Sequence, residues 1–175
     1  MKTNHVILLV FSMFLMAFGL PNNIQKKIDK EITKTFEIED FSFTEFKIPN
    51  AIASKVKSKF NNDNLFKIEV ENKLVGYAYV SQAPSKTALF DYLVLLDTDL
   101  VVKKSKVLVY REEYGGEIGS ARWLKQFIGK NQDDSLKYGE NIMAISGATI
   151  SVRSMTNAMN DLLQSLKVLH SNNII

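Results

Sequence analysis

The sequence predicts an α+β fold: an antiparallel sheet with helices packed on it, closed by an amphipathic helix near the C-terminus. Two observations carry this. Between Phe66 and Tyr110, apolar runs are separated by short polar turns, and neighbours joined so tightly make an antiparallel meander. From Thr149 to about Leu169, the residues Val152, Met155, Met159, Leu162, Leu166 and Leu169 recur at spacings of three and four, which is one face of a helix.

Composition bounds the function. The chain has 175 residues, 46% hydrophobic and 23% charged, which is the balance of a globular protein with a real core. A net charge of +3 is too small to argue for nucleic acid as a partner. The absence of cysteine excludes disulfides, thiolate metal sites and a lipid anchor on cysteine. The two histidines, His5 and His170, stand at opposite ends, so neither a histidine-based catalytic centre nor a typical zinc site is expected. The serines therefore lack a histidine partner for nucleophilic catalysis. Glu112 and Glu113 are adjacent and on a strand would face opposite ways, so they do not form an acid–base pair.

Residues 1–20 read as a targeting segment. Lys2 is followed by an apolar run from Val6 to Phe18, and Ala17-Phe18-Gly19 offers small residues for cleavage. The segment is a signal peptide or an uncleaved N-terminal membrane anchor. Either one leads to a domain that is periplasmic or anchored on the outer face of the inner membrane.

Residues 21–64 form an N-terminal helix and an extended segment. Asn22 to Phe36 is the helix, with Asn22 or Asn23 as its cap and a narrow stripe of Ile24, Ile28 and Ile32. Phe36 to Ile48 alternates and is a strand or an extended linker, ended by Pro49. A hairpin follows over Phe66–Gln82, turning at Glu71-Asn72-Lys73, with Gly76 as a bulge or a close approach. Ala83 to Lys86 reads as a loop. Phe90 to Leu96 is apolar on both faces, hence a central strand, and Val101 to Tyr110 is its partner across the Asp97-Thr98-Asp99 turn. Arg111 to Gly119 holds three glycines in its last five residues and is a loop leading into a helix, Ser120–Ile128. Gly129 to Glu140 is a polar loop.

The stretch Ala144 to Ser151 joins small residues and hydroxyls and runs directly into the last helix. Ser146 and Thr149 are both good N-cap types, and Gly147 lets the backbone bend. A helix start offers free N–H donors and a positive dipole end, so a phosphate would sit comfortably beside Thr149. An ordinary N-cap accounts for the same residues.

Ser146-Gly147-Ala148-Thr149 resembles the flavinylation motif of the FMN-binding domain family, which includes FMN-carrying subunits of the sodium-pumping quinone reductase and the Rnf complex. The resemblance spans roughly Leu65 to Leu166. It implies an FMN-binding domain over residues 65–170, with FMN esterified through its phosphate to Thr149, and with Ser146, Gly147 and Ala148 around it. It further implies that the glycine loop, through Gly116, Glu117 and Gly119, lines the isoalloxazine ring. The family's usual Asp three residues before the Ser is Met143 here, and the loop's usual proline is missing.

Tyr92, Tyr110, Tyr114 and Trp123 are candidates for contact with the ring, and Arg111 and Lys125 for stabilising a reduced anionic flavin. The implied protein is an extracytoplasmic flavoprotein electron carrier with no dedicated substrate pocket. Its implied partners are a flavin transferase for maturation and a redox donor and acceptor, the latter pair at the membrane or in solution. A cofactor-free binding or structural module on the same scaffold is the alternative, and Met143 is the residue that favours it.

Overall fold

Helix and sheet assort as hydrophobic periodicity dictates. The computed structural model describes residues 21–60 and 64–175, so the proposed targeting segment lies outside the described residues. Five strands form one antiparallel sheet in sequence order: β1 (Ser42–Glu45), β2 (Leu65–Val70), β3 (Lys73–Pro84), β4 (Leu89–Asp97) and β5 (Val102–Val109). The helices are α1 (Asn22–Phe36), α2 (Asn50–Ala53), α3 (Ala121–Leu124) and α4 (Thr149–Ser171). The fold is α+β, as the sequence predicts.

The sheet is covered on both faces. Successive side chains of a strand point to opposite sides. On β4, Leu93 and Leu95 meet Ile24, Ile28 and Ile32 of α1, while Tyr92, Val94 and Leu96 belong to the cluster under α4. The sparse isoleucine stripe of α1 therefore covers the second face of the sheet. On the first face, α4 buries Val152, Met155, Met159, Leu162, Leu163, Leu166 and Leu169. At about 2 kcal/mol per buried side chain, this stripe holds the helix against the sheet and fixes where its first residue lies. Among the described residues, no helix is long and apolar enough to cross a membrane.

Local departures from the sequence expectation have local causes. Helix α1 has no side-chain cap: Pro21 precedes it, and its carbonyl accepts from Ile24 and Gln25 N–H instead. Ser42–Glu45 pairs with β2 and is a strand. The β2–β3 turn is two residues, Glu71 and Asn72, both at positive φ, the geometry that suits the twist of a hairpin. The ladder is irregular where Ile68 pairs with Gly76 and Glu69 with Leu74.

Strand β3 continues through Ala83 to Pro84, which pairs with Leu89, so the expected loop shrinks to a tight turn over Ser85–Ala88. The expected helix over Ser120–Ile128 breaks after Leu124 into a 3-10 turn, Lys125–Phe127. The Leu124 carbonyl, which a continuing α-helix would offer to Ile128, accepts from Ser105 Oγ at 3.1 Å, and Ile128 N–H bonds Lys125 O instead.

The long loop before α4 is pinned on both sides. Asn160 of α4 accepts from Leu136 N–H at 2.8 Å and donates to its carbonyl at 2.6 Å. Trp123 Nε1 donates to Met143 O at 2.8 Å, and Met143 N–H donates to Gln126 Oε1 at 2.7 Å. These bonds deliver the chain to residue 146 in one direction.

Candidate functional site

The site is built around the start of α4. Gly147 has φ +77°, a backbone state that L side chains rarely adopt. This turn places Ala148 at the N-cap, with no side-chain cap bond. The expectation that Ser146 or Thr149 caps the helix is thereby corrected: Ser146 lies in the turn and Thr149 is the first helical residue. Ala148 O accepts from Val152 N–H at 2.9 Å, while the N–H groups of Thr149, Ile150 and Ser151 meet no acceptor among the described residues. These are the orphan donors of a helix start, gathered at the positive end of the dipole. Ser146 and Thr149 are exposed.

In front of this terminus opens a cleft of about 420 Å³, lined by Lys86, Tyr110, Glu112, Tyr114 and the backbone turn Gly147 to Ser151. Its size falls in the range of small-molecule sites, roughly 300–1,000 Å³. One wall is the chain leaving β5. Tyr110 Oη lies 3.0 Å from Ser151 Oγ, which joins that wall to the first turn of α4. Tyr114 stands beyond it with 78% of its surface exposed.

The other wall is the β3–β4 turn, held by one carboxylate. Glu112 Oε1 accepts from Ser85 Oγ at 2.6 Å, Thr87 N–H at 2.7 Å and Ala88 N–H at 3.2 Å, and Oε2 accepts from Thr87 Oγ1 at 2.9 Å. The Ser85 hydroxyl, followed by the Thr87 N–H, holds the Glu112 carboxyl down at a pKa of about 2. Lys86 stands at the tip of this clamped turn.

Gly115 packs against two of the lining residues. It has φ +79°, and a Cβ there would lie 2.7 Å from Ala148 Cβ and 3.2 Å from Tyr110 Oη. Only glycine lets the loop pack this closely on the helix start.

The sequence-predicted residues separate accordingly. Ser146, Gly147, Ala148 and Thr149 come together at the head of α4. Gly116, Glu117 and Gly119 form a 3-10 turn around buried Ile118 and do not line the cleft; the loop meets it through Tyr114. Of the four aromatic candidates, Tyr110 and Tyr114 line the cleft, whereas Tyr92 and Trp123 are core residues. Burial pushes the Tyr92 hydroxyl pKa well up. Arg111 is committed to Asp91 and to Leu89 O. Lys125 lines a separate cavity of about 30 Å³, with room for a water at most. Lys86 was not legible from its neighbours in sequence, because its place depends on Glu112 across the sheet.

The arrangement suits a ligand that joins a phosphate to a flat aromatic body. Free N–H donors and an exposed hydroxyl are available to a phosphate, and tyrosine rings with Ala148 and Ile150 offer apolar surface. Nothing lies within 4 Å of where a Cβ at Gly147 would point, so the turn leaves open space for a group against its backbone. These features suit a nucleotide-type cofactor, and FMN fits the donor set. Residues 90–164 match the model of the FMN-binding domain family, a stretch that runs from β4 into α4 and contains every cleft residue except Lys86. Over this stretch the chain is similar to an FMN-binding domain, and the match supports FMN as the cofactor.

Among solved structures, the crystal structure of Shewanella oneidensis NqrC is similar at 23% identity, covering 66% of this chain and 62% of that one, with a TM-score of 0.45. The chain thus spans 62% of the length of that structure. It matches no curated protein.

Proposed function

We propose that the protein is an extracytoplasmic electron carrier whose FMN is joined through its phosphate to Thr149 Oγ1. One observation carries the reading: Thr149 is exposed as the first residue of α4, in the cleft and beside N–H donors that have no acceptor of their own. An attached phosphodiester keeps one negative charge, which those donors and the helix dipole offset. The bond formed is Thr149 Oγ1 to phosphorus. The bond broken is the pyrophosphate P–O bond of a flavin dinucleotide donor, from which a nucleoside monophosphate leaves while the threonine proton goes to solvent, so the net addition is one FMN less one water.

FMN, once bound, supplies one- or two-electron transfer, and the protein supplies attachment, orientation and electrostatics. Tyr110, fixed by Ser151, and Tyr114 provide aromatic surface along the cleft. Attachment prevents loss by dissociation, which suits a protein outside the cytoplasm. The proposed FMN-binding unit runs over residues 65–170, with residues 21–64 covering the back of the sheet through α1. Donor and acceptor are proposed to be redox proteins at the membrane, and maturation needs a flavin transferase.

The test is the intact mass of the chain coexpressed with a flavin transferase, beside Thr149→Ala. A gain of one FMN less one water in the parent chain alone supports attachment at Thr149. An equal gain in both, or none in either, overturns it. Fusion of residues 1–20 to a reporter active only outside the cytoplasm tests the location separately.

A further inference from the structure

The clamped β3–β4 turn has a role that its hydrogen bonds do not explain by themselves. Glu112 spends both carboxylate oxygens on Ser85, Thr87 and Ala88, which surround Lys86 on both sides. Ser85 Oγ also lies 2.6 Å from Ala88 O, so its single hydrogen serves either that carbonyl or Glu112, and the residue is buried. A carboxylate accepting so many bonds fixes the backbone of a turn that would otherwise be a mobile tip. Lys86, in the middle, makes no hydrogen bond or ion pair among the described residues, yet it lines the same cleft as Thr149. The other basic residue near this wall, Arg111, is already neutralised by Asp91. The cleft therefore has one uncommitted ammonium and one uncommitted set of backbone donors, from two different elements.

We infer that Lys86 binds the phosphate of FMN together with the N-terminus of α4, and that Glu112 is the positioning residue that presents it. This rests on the FMN site proposed above but not on the covalent bond, because the same contact serves a noncovalently held FMN. A lysine is suited to this as a compact point charge on a flexible stem, able to follow the phosphate before and after attachment.

The experiment uses the full chain made without a flavin transferase, titrated with FMN and with riboflavin by fluorescence quenching. The ratio of the two dissociation constants isolates the phosphate. In the parent chain FMN should bind tighter than riboflavin. Lys86→Gln should reduce that preference about fivefold, as expected for one partly solvated charge-assisted contact, and Lys86→Arg should restore most of it. Glu112→Gln should reduce the same ratio, although it leaves Lys86 in place; loss of fold stability alone would weaken both ligands together.

If Lys86→Gln weakens FMN and riboflavin equally, the ammonium meets the ring and the assignment is overturned. An unchanged ratio also overturns it. If neither flavin binds the parent chain, and the coexpressed chain gains no FMN by mass, the FMN site itself fails; binding with no mass gain would remove only the covalent step.

Discussion

Tyr110 Oη and Ser151 Oγ lie 3.0 Å apart, and this contact joins the end of β5 to the first turn of α4 across the cleft. Ser151 is buried, with 3% of its surface exposed, so its hydroxyl depends on this partner. Tyr110→Phe should cost about 1 kcal/mol in urea unfolding, the usual loss when one buried hydroxyl is left without its mate. The double variant with Ser151→Ala should cost less than the sum of the two singles, because the second change removes the stranded group. Additive costs would show that the contact contributes nothing.

Gly115 and Gly116 are neighbours with opposite expectations. A side chain at Gly115 meets Ala148 at 2.7 Å in a backbone state that disfavours it, whereas at Gly116 there is nothing within 4 Å. Gly115→Ala should destabilise the fold by about 1–3 kcal/mol, and Gly116→Ala should stay within about 0.5 kcal/mol of the parent. Chemical denaturation of the two variants side by side checks this.

Glu112 couples stability to acid. Its folded pKa, about 2, lies below the ordinary 4.5, so the folded state favours the charged form. The stabilisation is therefore complete above pH 4.5 and is lost as pH falls toward 2. Thermal melts across that window should show the parent chain losing more stability than Glu112→Gln, with the two curves converging at the acid end. Parallel curves would mean the clamp is not maintained in solution.

Met143 occupies the position where the family motif usually has Asp. Its side chain is 67% exposed, while its backbone is held at both ends by Gln126 and Trp123. Met143→Asp should therefore leave stability within about 0.5 kcal/mol of the parent. It should also raise the fraction of chain that gains FMN on coexpression with a flavin transferase, read by intact mass. An unchanged fraction would free this position from any part in maturation.

Much of the architecture was legible because it follows from local periodicity. The α4 stripe, the isoleucines of α1 and the doubly apolar β4 each state which surface must be buried, whatever their neighbours prove to be. The turn Ser146 to Thr149 was legible as a motif because its four residues are consecutive and act together at one helix start.

The rest was decided by contacts between distant segments, which no local pattern encodes. Thr149 could have capped its helix; the Gly147 turn instead gives that place to Ala148 and leaves the hydroxyl outside. The glycine loop meets the cleft at Tyr114, next to Gly115, which packs on Ala148. Lys86 enters the site because the sheet brings Glu112 beside the β3–β4 turn. By itself the sequence determined an antiparallel α+β scaffold, a helix with its head at Thr149 and the family resemblance of that head. Tertiary structure decided which hydroxyls, rings and charges face the cleft, since each depends on the partner that another segment supplies.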